Sequence, residues 1–206
     1  MNHFSLDKRM AIESFLMLIG PVLIYYLINY FIKRKTKIAL KTINSHLLFK
    51  SSIIAIILVI LIYSINIIIS KENNNFNPYN SFWMVISIGL IGPIGEELIF
   101  RGIIQRGLYQ TLKPKWSILI SSILFMLVHQ PSQYPLAILI GILFGYVYFK
   151  TDNILLPIIL HIITNNISTL IAFILFKYNF TQDYLLFVSI IGVIISVILS
   201  YKELKK

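Results

Sequence analysis

The stretch Gly92-Pro93-Ile94-Gly95-Glu96-Glu97-Leu98-Ile99-Phe100-Arg101-Gly102 sets two adjacent carboxylates and a guanidinium inside a run otherwise apolar enough for a bilayer. A carboxylate at the centre of a membrane-spanning helix costs about 3 kcal/mol even on lenient insertion scales. Ionisable groups kept at that depth point to function, and each needs a partner. Only His129 and His161, of the histidines, lie in apolar segments, so they stand as the partners. The pattern is that of a membrane enzyme.

The rest of the chain agrees with a membrane setting. Hydrophobic residues make up 57% of the 206 and charged residues 13%, against soluble norms of roughly 45–50% and 25%. A net charge of +10 would point to nucleic acid in a soluble protein. Here the lysines fall between apolar segments, where they set topology against anionic lipid, and nucleic acid is not expected as a partner. With no cysteine, zinc ribbons and disulfide frameworks are excluded.

Apolar segments run over about 12–32, 51–70, 82–101, 116–131, 135–149, 154–176 and 184–201. The first follows Lys8 and Arg9 but is long enough to span a bilayer. It ends in Lys33-Arg34-Lys35 without a cleavage site, so it reads as a retained helix and not a signal peptide. The expected fold is therefore all-α: a polytopic membrane helical bundle of about seven transmembrane helices, residues 1–206 forming one domain. Because 116–131 and 135–149 are short for full crossings, six spans with one re-entrant helix is the alternative. With seven spans, the loops 33–50, 102–115 and 150–153 and the tail from Lys202 carry 13 Lys and Arg; the other side has only Lys8, Arg9, Lys71 and Lys177. The positive-inside rule then places the N-terminus outside and the C-terminus in the cytosol.

Three pairs share one spacing: Glu97 with Arg101, Phe125 with His129, and His161 with Asn165. Residues four apart lie on one face of a helix, and an acid N-terminal to a base is the favoured order for an ion pair. Glu96 is turned about 100° from Glu97. Glu97 can thus pair with Arg101 while Glu96 faces water or substrate. Counting about 1.5 Å per residue from the cytoplasmic ends puts Glu96 about 15 Å deep, His161 about 12 Å and His129 about 21 Å. All three fall around the middle third of the bilayer, where one cavity open to the cytosol can hold them.

Glu96-Glu97-xxx-Arg101, Phe125-xxx-His129 and His161-xxx-Asn165, in that order on successive segments, resemble the CPBP family. That family includes CAAX prenyl endopeptidases and bacterial relatives linked to bacteriocin immunity and peptide processing. The resemblance covers about 82–170, the expected catalytic core, and Phe100 and Gly102 also fit. It implies a multi-pass protein of a bacterial plasma membrane that hydrolyses a membrane-associated or lipidated peptide or protein. In that scheme Glu96 is the general base and His129 holds the attacking water. His161 and Asn165 stabilise the oxyanion, and Glu97 and Arg101 brace the site, with Arg101 available to a substrate carboxylate. Glu96, His129 and His161 would be the ligands if zinc were bound. No HExxH is present and Asn165 is a poor zinc ligand, so hydrolysis without a cofactor is favoured.

Plainer readings stand beside these. Glu97 and Arg101 can be a structural ion pair, and Phe125 packing for His129. Asn165, Thr164 and Asn166 can simply tie helices together. Gly141 and Gly145 read as close helix packing, and Gly92, Pro93 and Gly95 as a bend before Glu96. A bacteriocin self-immunity or scaffold protein on the same fold is the alternative function. A proton-coupled transporter would show paired halves with broken helices, which this sequence lacks.

The charge count predicts that reporter tags at residue 40 and at the C-terminus lie in the cytosol and a tag within Asn73–Asn80 lies outside. A residue-40 tag found outside would reverse the orientation.

Overall fold

A computed structural model describes residues 45–70 and 85–177, with scattered positions between 12 and 43 and between 187 and 194. All the secondary structure described is helical. Helix α1 is Ser45–Ser70 and α2 covers 85–108; α3 is Pro114–Leu127, α4 Tyr134–Thr151 and α5 Leu155–Lys177. Apart from those scattered positions, the expected first and last spans lie outside the described residues, as does all of Asn73–Asn80. Among those described, Ser45–Ile62 and Pro131–Thr151 are long and apolar enough to cross a membrane, while Pro114–Leu127 and Leu155–Ile171 are shorter apolar helices.

Helix α3 ends sooner than the sequence implied. Hydrophobicity continues to residue 131, but Gln130 precedes Pro131, and a residue before proline is pushed out of helical geometry. Gln130 is accordingly extended, at φ −73° and ψ 147°. His129 therefore sits just past the helix, in the turn that leads into the 3₁₀ segment Pro131–Gln133 and α4. Phe125 remains inside the helix.

The bend expected at Gly92, Pro93 and Gly95 takes a specific form. Ordinary α-turns at Gly92–Glu97 and Arg106–Leu108 are each preceded by a π-helical stretch, Ser87–Ile91 and Leu98–Gln105. Pro93 accounts for the first of these. It has no N–H, and in an α-helix its ring would crowd the carbonyl four residues back, that of Gly89. The chain widens instead, and the Gly92 N–H bonds to the Ser87 carbonyl. Glycine suits position 92, because a Cβ there would lie 2.9 Å from that carbonyl oxygen. The widening takes the Gly92 N–H away from its ordinary α-helical acceptor, Ile88 O, and Pro93 has no N–H to offer Gly89 O. A carbonyl left bare in hydrocarbon costs several kcal/mol. Asn165 Nδ2 donates to Ile88 O and Asn166 Nδ2 to Gly89 O, both at 2.9 Å. In the second π stretch, the buried Ser121 hydroxyl of α3 donates to Phe100 O at 2.7 Å.

Close helix contact makes the rest possible. α4 packs on α3 and also meets α1, α5 and α2. Ser117, Ser121 and Ser122 are buried along α3. A Cβ on Gly141 would come within 3.1 Å of Ser122 Cβ and 3.2 Å of its Cα, so the small residues allow the backbones to approach. Phe144, Val147, Leu156 and Leu160 join Ala55 and Ile140 in the main apolar core. At the other end of α4, Asp152 adopts a left-handed conformation (φ 47°) with its N–H on Tyr148 O at 2.8 Å, which ends the helix. Arg106 of α2 clamps this corner by donating to Tyr148 Oη and Asp152 Oδ1 at 2.9 and 3.0 Å.

One substitution tests this packing in two places. Alanine is favoured over glycine in a helix by about 1 kcal/mol, and nothing lies within 4 Å of a Cβ on Gly107. Gly107→Ala should hold or raise the thermal midpoint. Gly141→Ala should lower it, because overpacking against backbone costs about 1–3 kcal/mol. A Gly141→Ala protein as stable as wild type would remove the close approach as a structural requirement.

Candidate active site

Residues 97, 101, 105 and 109 form a polar stripe along α2. In an α-helix, residues four apart drift by about 40° around the axis. The wider π turn at Leu98–Gln105 offsets that drift and keeps the stripe straight. Glu97, Arg101 and Gln105 are all 0% exposed. Arg101 Nε lies 3.1 Å from Glu97 Oε2, a charge contact and not an aligned hydrogen bond. Its Nη2 donates to Gly141 O at 2.9 Å, and its guanidinium carbon stands 4.8 Å from the Phe125 ring centre. One turn on, Gln105 Nε2 donates to Gly145 O at 2.8 Å and to the Tyr109 hydroxyl. Gln105 is a buried participant that the sequence reading missed, although the four-residue spacing after Arg101 marked it. Arg101, expected to be available to a substrate carboxylate, is buried here against Glu97, Gly141 and two aromatic rings, with its Nη1 unpartnered.

Glu97 has a second partner that was not anticipated. Its Oε1 accepts from His161 Nδ1 at 2.9 Å. The same carboxylate therefore holds Arg101 on one oxygen and His161 on the other. Glu96, turned away as expected, faces the two histidines: its Oε2 lies 3.9 Å from His129 Nε2 and 3.8 Å from His161 Nε2. Its side chain is 26% exposed and that of His129 22%, against 4% for His161. The open side of the site is thus the Glu96–His129 side.

Both tautomers follow from the partners. His129 Nδ1 lies 2.7 Å from Phe125 O, and a carbonyl can only accept. His161 Nδ1 meets the carboxylate that also pairs with Arg101, and as the partner of a guanidinium that carboxylate accepts. Each Nδ1 carries hydrogen, and in the neutral ring each Nε2 presents a lone pair toward Glu96. Phe125 sets this arrangement by ring contact as well as through its carbonyl. Its centroid is 4.5 Å from that of His129, 5.6 Å from His161 and 5.2 Å from Phe100.

Both residues expected to face the oxyanion also hold other partners. His161 Nδ1 lies on Glu97 with Nε2 toward Glu96, and one hydrogen of the Asn165 amide is donated to Ile88 O. Thr164 does not tie helices together: its hydroxyl donates to Leu160 O and His161 O of its own helix at 2.6 and 3.1 Å. Zinc would need Glu96, His129 and His161 gathered at ligand spacing. Among the described residues no group of three or more His, Asp or Glu is gathered in that way.

Comparisons with known proteins agree with this picture. Residues 78–167 match the profile of the Rce1-like family, type II CAAX prenyl endopeptidases. Over 83 residues the chain is 37% identical to YdiL of Bacillus subtilis (strain 168), whose name marks it as a candidate membrane peptidase. That stretch is 40% of this chain and 34% of the relative. It is 28% identical over 88 residues, 39% of this chain and 36% of the relative, to MroQ of Staphylococcus aureus (strain USA300), named as a membrane-embedded CAAX protease. The chain thus spans about a third of the length of these curated relatives. No solved structure matches it significantly. The stretch 78–167 is thus similar to these membrane CAAX proteases, and every side chain of the three motifs lies within it.

Removing one half of the buried pair should separate bracing from chemistry. Breaking a buried ion pair costs about 3–5 kcal/mol, so Glu97→Gln should lower the thermal midpoint in membranes. Glu97→Gln with Arg101→Met should recover much of that loss without restoring activity, because His161 still lacks its carboxylate. A Glu97→Gln protein as stable as wild type would show that the pair does not brace the fold.

Proposed function

We propose that the chain is an endopeptidase that hydrolyses a peptide bond of a membrane-associated or lipidated peptide, with Glu96 as general base and no metal. The observation that supports this reading is the convergence of the buried, unpartnered Glu96 Oε2 and two imidazole Nε2 atoms on the partly exposed side of the site. At 3.9 Å from Glu96 Oε2 to His129 Nε2, a water can donate one hydrogen to each at ordinary hydrogen-bond lengths. Its oxygen lone pairs are then turned outward to a carbonyl carbon. Glu96 takes one proton as the oxygen–carbon bond forms.

His161 relays that proton. Glu97 on Nδ1 orients the ring, the relation an acid has to histidine in acyl-transfer triads. Nε2, 3.8 Å from Glu96, takes over the proton that Glu96 drew from water and then faces the developing oxyanion as a donor. It delivers that proton to the departing amine as the carbon–nitrogen bond breaks. The second hydrogen of the water passes from the new carboxyl group through Glu96 to the amine, so a carboxylate and an ammonium are released and both residues are reset. Arg101 pairs with Glu97 and touches no reacting atom.

The test compares the membrane-peptide content of cells carrying wild type and Glu96→Gln. Cleavage should fall at least about 100-fold on loss of a general base, while the variant protein accumulates normally. Identical peptide content would end the hydrolase reading and leave a binding role. With a substrate in hand, activity should survive exhaustive chelation. Loss with 1,10-phenanthroline, restored by stoichiometric zinc, would sink the metal-free reading and recast Glu96, His129 and His161 as ligands.

A further inference from the structure

We infer that Asn165 and Asn166 are positioning residues that cap the two carbonyls left bare by Pro93, and thereby fix the register of α5 on α2 that brings His161 to Glu96 and Glu97. The catalytic consequence rests on the proposed function; the structural lock does not.

The donors and acceptors match one to one along both chains. Consecutive carbonyls, Ile88 and Gly89, face consecutive amides, Asn165 and Asn166, and both bonds are 2.9 Å long. Asn166 spends its other hydrogen on Ile162 O at 2.7 Å, which ties the side chain to its own helix and limits its rotamers. Fit from the other side is equally close: a Cβ on Gly89 would lie 2.9 Å from Asn166 Oδ1. A slip of α5 by one residue would leave at least one carbonyl bare in an apolar environment, so the pairing selects a single register. His161 lies one turn before Asn165 on the same helix. The register that seats the asparagines therefore also sets His161 Nδ1 at 2.9 Å from Glu97 Oε1.

Asn166 separates this role from a direct one. Its amide is spent on Gly89 O and Ile162 O, which leaves it no hydrogen for a reacting atom.

The test is a double-mutant cycle against residue 93, because alanine there restores the missing N–H. Asn165→Ala, Asn166→Ala and the double variant are made with Pro93 and with Pro93→Ala, and thermal midpoint and turnover are read for each. With Pro93, each single variant should lower the midpoint and reduce kcat about tenfold or more, with KM changed less than threefold. In the Pro93→Ala background, the added losses should shrink to less than half. The thermal readout needs no protease activity, so the lock is tested even if no substrate is ever cleaved. Midpoint losses that add independently of residue 93 would overturn the proposal. Should Pro93→Ala fail to accumulate, Asn166→Ala alone decides. Wild-type midpoint and turnover in that variant would overturn the proposal, and a loss in both would uphold it.

Discussion

The Glu97 carboxylate touches no solvent and answers to two partners, Arg101 on one oxygen and His161 on the other. Nearly everything around it follows from keeping that charge neutralised. Arg101, fully buried, is held in part by the Gly141 carbonyl, which accepts from its Nη2. The close approach of α3 and α4, built from Ser122 and Gly141, sets the distance at which that happens. Phe125 and Phe144 close the remaining faces of the guanidinium with aromatic rings. Removing Glu97 would therefore strand one charge and free one histidine together, so stability and chemistry are joined at a single side chain.

Much of this was legible in the sequence, for identifiable reasons. Intramembrane carboxylates are costly enough that Glu96 and Glu97 announce themselves, and the 100° between neighbours on a helix separates their roles without coordinates. Spacing by four found the Glu97–Arg101 pair and the Phe125–His129 contact, although His129 lies beyond the end of its helix. The ring contact survives because the turn after α3 continues for a residue or two before Gln130 straightens. What spacing could not show was which helix faces which. The bond from His161 to Glu97 joins residues 64 apart, and no local pattern encodes it. The same holds for Asn165, whose neighbour in sequence, His161, suggested one role while Ile88, distant in sequence, supplied another.

Proline was read correctly as a disturbance and incompletely as to kind. A bend was expected before Glu96; the chain instead widens its turns, twice, without leaving helical backbone angles. The widening lets residues four apart stay in line from Glu97 to Gln105. It also leaves main-chain carbonyls facing outward, where Ser121, Asn165 and Asn166 collect them. π-helical turns are rare and concentrate at functional sites, and here the reason is visible as a straight polar stripe that an unbroken α-helix would twist away from α4.

Consider, finally, how many hydrogens the two histidines demand of whatever enters. Nδ1 of each is spent, on Phe125 and on Glu97, so both rings and Glu96 meet at one place as acceptors alone. Water brings two hydrogens and can satisfy two of the three while presenting its lone pairs. An alcohol brings one, and would leave an acceptor bare with its carbon chain pressed against a carboxylate. Under the proposed hydrolysis, such a centre would select its nucleophile before any acyl group arrives, favouring water over hydroxyl acceptors by counting protons and not by excluding volume.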